Sequence, residues 1–193
     1  MYLSKEEIRL LDDVIKYFEV GFRTYIAEKI VLKFPTKELY ESAIQTKKIN
    51  YKGEDIILSG KISSNLEQLS KSAKVNSIYT LLVETKVVCD NKIDLQIKEE
   101  KSNAFLVISE LISLTYIFGT DVFSDLLQAF KTREEYMYLA EEYRVVRNNI
   151  EHPGANISTF FYHEMNRFIV KALKCIDDDF FLVWFKRRAE EET

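Results

Sequence analysis

Within YRVVRNNIEHPGANIS, Tyr143 to Ser158, the chain gathers Arg147, Asn148 and His152 and follows them at once with Pro153 and Gly154. On a continuous helix Asn148 and His152, four apart, lie one above the other on the same face. Arg147 points about 100° away, and its long side chain reaches across. Pro153 disfavours helical backbone at His152, and Gly154 lets the chain turn off. The imidazole is therefore expected at a frayed helix end, within hydrogen-bond reach of the Asn148 amide and beside a guanidinium. An imidazole that titrates near neutrality moves protons. A guanidinium holds phosphoryl oxygens as charge develops on them. Together they suit cleavage of a phosphodiester without a metal. A structural reading competes with this one. Pro-Gly is a common helix stop, a helix C-terminus favours a histidine, and Arg147 has Glu142 and Glu151 as nearby ion-pair partners.

The pattern Arg147-Asn148-x-x-x-His152, with Pro-Gly behind it, resembles the Arg-polar-x(3–5)-His signature of the HEPN superfamily. The resemblance rests on six to eight residues, with a helical context over about residues 100–180. It implies an all-α bundle. It also implies a metal-independent endoribonuclease of a prokaryotic defence or toxin–antitoxin system, acting as a homodimer with one composite cleft. RNA would be the substrate, no cofactor is implied, and an antitoxin or defence-complex protein is an expected partner. In the implied reaction the ribose 2′-hydroxyl attacks its own phosphate and leaves a 2′,3′-cyclic phosphate and a 5′-hydroxyl. His152 would be the acid/base, Arg147 the phosphate contact, and Asn148 the group that orients the imidazole or binds a phosphate oxygen. A non-catalytic dimerisation module derived from the same family is the alternative.

Other charged residues fit around that core. Arg144 on the same helix, with Arg167 and Lys171 on the next, is expected to form a basic strip that guides RNA phosphates. His163 falls on the polar side of that last helix, in FFYHEMNRF, which lacks the second histidine of a zinc HExxH motif. Cys89 and Cys175 have no ligand spacing, so no metal site is expected. Phe180, Phe181, Trp184 and Phe185 form an aromatic cluster that could stack bases, with core packing or a dimer seam as the favoured use.

The elements that must carry these residues read as helices. Five glycines and two prolines in 193 residues, with 47% hydrophobic content, favour long helices over a many-turned β fold. Ser4 with Glu7 forms a capping box, and Ile8, Leu11, Ile15, Phe18, Phe22, Tyr25 and Ile26 follow at helical spacing up to Phe34. Pro35 ends that helix, and Thr36 caps a second through about Lys48. A loop is expected over Asn50–Lys61, helical patterning at Leu66, Leu69 and Ser77–Val88, and a short strand or extended connector at Ile93–Ile97. Asn103–Phe118 reads as a buried apolar helix stopped by Gly119, followed by a shorter helix over Asp121–Lys131. Thr132 with Glu135 caps a helix to about Ile150, with Tyr136, Leu139, Ala140, Tyr143, Val146 and Ile150 inward. The last long helix runs from about Ser158 to Cys175, with Phe161, Met165, Phe168, Ile169, Ala172 and Leu173 inward. The expected architecture is an N-terminal helical extension over residues 1–100 against a HEPN-like core over 101–193. The acidic start MYLSKEEIRLLDD does not fit a signal peptide, and the run Ala104–Gly119 is too short and too interrupted to span a bilayer. A cytoplasmic protein is expected. A net charge of −4 means that any nucleic-acid contact must be local.

Overall fold

The computed structural model describes residues 1–52, 79–80, 82–83, 108–150 and 156–176. Among these the fold is all-α, in six helices: α1 Lys5–Lys33, α2 Lys37–Lys52, α3 Ile108–Phe118, α4 Thr120–Gln128, α5 Arg133–Ile150 and α6 Thr159–Leu173. A single isolated antiparallel bridge, Tyr2 to Ser158, is the only β pairing among them. The expected features at residues 53–61, at Leu66 and Leu69, at Ile93–Ile97 and at Phe180–Lys186 lie outside the described residues. So does Cys89.

Side-chain caps set most boundaries. Ser4 and Glu7 exchange hydrogen bonds, Ser4 N donating to Glu7 Oε2 at 2.7 Å and Glu7 N to Ser4 Oγ at 3.3 Å. Thr36 Oγ1 accepts from Leu39 N, and Ser158 Oγ accepts from Phe161 N. α2 extends to Lys52, four residues beyond the expected end. Gly119 closes α3 in the left-handed region, at φ +49°, a conformation costly for a residue with a Cβ. α4 then begins at once and kinks at Phe123 (φ −115°, ψ 37°), ending at Gln128 instead of Lys131.

By their contacts the helices group into two units, Met1–Phe22 with Ser124–Thr193, and Arg23–Phe123. This differs from an extension over 1–100 and a core over 101–193. The reason lies in the first unit's aromatic cluster. Phe168 of α6 is met by Phe18 and Phe22 from α1, by Phe130, and by Tyr136 and Tyr143 from α5, at centroid distances of 5.3–6.2 Å. All of these rings are buried. Each buries a large apolar area, and edge-to-face pairs add a little more. The N-terminal 22 residues therefore belong to the same core as α5 and α6. Leu3 N donates to Ile157 O at 2.9 Å and Thr159 N to Met1 O at 3.1 Å, which ties the chain start to the head of α6.

The second unit has its own core. Tyr40 of α2 packs with Phe34, Tyr79 and Phe118, and the Tyr79 hydroxyl donates to Phe34 O at 2.7 Å. Burial, with Glu110 nearby, pushes the Tyr40 phenol far above its ordinary range. No helix among the described residues is long and apolar enough to cross a membrane.

Candidate functional site

α5 presents Arg147 and Asn148 because its other face is committed to the core. Tyr136, Leu139, Ala140, Tyr143 and Val146 are buried, which fixes the rotation of the helix. Ile150, expected inward, is half-buried. That rotation leaves Arg147 and Asn148 half-buried on the last turn. His152, Pro153 and Gly154 lie outside the described residues, so the expected Asn148–His152 hydrogen bond does too.

Arg147 is held from a distance. Its Nε donates to Glu19 Oε1 of α1 at 2.9 Å, and the Tyr143 hydroxyl donates to the same oxygen at 3.2 Å. Glu19 comes from the other end of the sequence, whereas the sequence suggested Glu142 or Glu151. The Glu19 side chain is 10% exposed and that of Arg147 is 23% exposed, so the cation is the more accessible member of the pair. Sequence reasoning missed Glu19. A signal was present: it sits between Phe18 and Phe22, on the stripe with Ile15 and Ile26, where an acidic residue is out of place.

The expected RNA-guiding cations are each engaged by carboxylates. Arg144 of α5 is buried, its Nε donating to Glu141 Oε2 of the same helix at 2.8 Å and its Nη2 to Glu141 Oε1. Arg167 Nη1 donates to both Glu164 oxygens at 2.9 Å and Nη2 to Glu135 Oε1 at 3.2 Å. Lys171 Nζ reaches Glu135 Oε2 at 3.2 Å and Ala129 O at 3.3 Å, and sits over the Phe130 ring. The strip along α6 is thus a charge-balanced lattice that fastens α6 to the head of α5. The hydrogen bond from Lys131 N, together with Lys171 and Arg167, holds the Glu135 carboxyl below its ordinary range.

Acidic neighbours crowd the space between these helices. Glu142 Oε2 is buried without a hydrogen-bond partner. Burial first, then the charges of Glu164 and Glu141, push its carboxyl up. On α6, Met165, Phe168, Ile169 and Ala172 face inward as expected, and Leu173 is half-buried. Phe161 does not: it is 41% exposed and packs against Phe160, while the unexpected Glu164 is buried. His163 is exposed beside Tyr162. Cys175 is a free thiol, half-buried, donating to Asp125 O. Among the described residues no group of three His, Cys, Asp or Glu side chains is placed to hold a metal ion.

No protein-family model, curated protein or solved structure matches the chain.

Proposed function

We propose that this protein is a HEPN-like, metal-independent endoribonuclease of a prokaryotic defence or toxin–antitoxin system, acting in the cytoplasm as a homodimer. The observation that supports it is the seating of Arg147. A partly exposed guanidinium sits on the last turn of α5, its direction set by Glu19 and its position five residues before His152. In the reaction His152 takes the proton from the 2′-hydroxyl. The 2′-oxygen attacks phosphorus, and the bond from phosphorus to the 5′-oxygen breaks as a His152 imidazolium returns a proton to that leaving oxygen. Arg147 stabilises the negative charge that builds on the phosphoryl oxygens, and Asn148 orients the imidazole or the phosphate. The two motifs of a twofold dimer would share one cleft.

The test is cleavage of a labelled oligoribonucleotide in EDTA. The expected products carry 2′,3′-cyclic phosphate and 5′-hydroxyl ends. Arg147→Ala and His152→Ala should each lower kcat by at least about 100-fold, in a protein that stays folded, with a lowered melting temperature only in Arg147→Ala, which leaves Glu19 unpaired. Cleavage that persists in both variants would sink the proposal.

A second reading has its own observation. Arg144, Arg167 and Lys171 are each engaged by carboxylates, in a chain of net charge −4, which suits a helical interaction module better than a free nuclease. Its outcome in the same assay is a folded dimer that leaves RNA intact.

A further inference from the structure

Glu19 is a buried acidic residue to which the reaction above gives no chemical step. It is 8% exposed on a helix face otherwise filled by Ile15, Phe18, Phe22 and Ile26. Placing a carboxylate there is costly unless it is paired and hydrogen-bonded. Buried ion pairs are seldom better for stability than apolar residues of the same shape, so stability alone is a poor reason for this one. Its geometry offers another. One oxygen, Oε1, receives both the Nε of Arg147 and the hydroxyl of Tyr143. Tyr143 lies one turn before Arg147 on α5, and its ring packs on Phe18 and Phe168. A guanidinium is a rigid plane with five donors. Fixing Nε against an anchored carboxylate fixes the plane of the whole group. A lysine cannot be aimed in this way, because its ammonium is a point charge on a flexible stem.

We propose that Glu19 is a positioning residue of the ribonucleolytic site, acting through Arg147, with the Tyr143 hydroxyl anchoring the same carboxylate oxygen. The inference rests on the ribonuclease reading. It adds that transition-state contact depends on the orientation of Arg147, set by a residue 128 positions away in sequence.

The experiment uses the full chain and a fluorescent oligoribonucleotide in EDTA, with kcat, KM and melting temperature recorded for each variant. Glu19→Gln should lower kcat by about 10- to 100-fold while KM stays within about twofold, as expected when a contact is misaimed. In an Arg147→Lys background, which has no Nε to orient, the same substitution should lower kcat by less than about threefold. A merely structural role would move the melting temperature and leave that non-additivity absent. If Glu19→Gln turns at the wild-type rate while Arg147→Ala and His152→Ala are inactive, Glu19 is no positioning residue and the ribonuclease reading stands. Full additivity of Glu19→Gln with Arg147→Lys overturns the inference equally. A wild-type protein that cleaves no RNA removes both. Should Glu19→Gln fail to fold, Tyr143→Phe decides: about a 3- to 10-fold drop in kcat is expected, and an unchanged kcat overturns the proposal.

Discussion

Residue by residue, the carboxylates between α5 and α6 have opposite characters. Glu135 is hydrogen-bonded and held low, whereas Glu142 is crowded by Glu164 and Glu141 and pushed up, chiefly by burial. A carboxyl whose pKa is raised on folding binds its proton more tightly in the native state. Its contribution to stability is therefore fully present below the unfolded pKa and lost as pH rises through the native value. Glu142→Gln imitates the protonated form. It should leave the melting temperature unchanged near pH 4 and raise it by about 2 °C near pH 8, the order expected when a partly buried orphan charge is relieved in a chain of this size. Melting curves at both pH values check this, and an equal or lower melting temperature at pH 8 would show that Glu142 has partners in solution. The same scale explains what was legible in the site. Arg147, Asn148 and His152 announce themselves by type and spacing along six residues of chain. Glu19 does not, because the partner that gives it meaning lies 128 residues away. Only its misfit on an apolar stripe was there to be read.

At the scale of the element, helix starts were readable because their chemistry is local. Ser4, Thr36, Thr132 and Ser158 each sit three residues before an amide that their side chain accepts. The ends and faces were less so. Phe161 shares the stripe of Met165 and Phe168, yet periodicity gives direction without saying how far the cover extends, and the first turn of α6 is left open. The kink at Phe123 follows Gly119 by four residues and carries no sequence mark of its own. The start of α5 is also where two helices are joined. Thr132 Oγ1 accepts from Glu135 N at 3.1 Å, and Glu135 Oε2 accepts from Lys131 N at 2.6 Å while its carboxylate holds Arg167 and Lys171. Thr132→Ala removes the cap alone and should cost about 1 kcal/mol. Glu135→Ala removes a cap bond and both ties to α6, so its melting temperature should fall further than that of Thr132→Ala. Because the Glu135 carboxyl is held low, its share of stability is present above the ordinary carboxylate range and lost as pH falls through the lowered value. The gap between wild type and Glu135→Gln should accordingly close on acidification from pH 6 to pH 3. Urea unfolding across that range measures it, and a gap that widens would contradict the assignment.

For the whole molecule, the prediction concerns how many chains make one site. The first unit's core joins α1 to α5 and α6, with Phe18 packed against Tyr143 and Phe168, so Arg147 rests on a scaffold built by a single protomer. The proposed cleft is different, since it takes a guanidinium and an imidazole from each of two copies. Complementation separates the two cases. A dimer of Arg147→Ala has two His152 imidazoles and no Arg147 guanidinium, and a dimer of His152→Ala has the reverse. A mixed dimer holds one of each, facing one another across the twofold axis. If one chain made a complete site, mixing two inactive variants would yield nothing. With a shared cleft, equal amounts after subunit exchange give about half mixed dimers, and cleavage should reappear at least about tenfold above either parent. Differently tagged variants, pulled down through one tag to show that exchange has occurred, make the result decisive. Mixed dimers that form and remain inactive would refute the shared cleft, even if each wild-type dimer cleaves RNA.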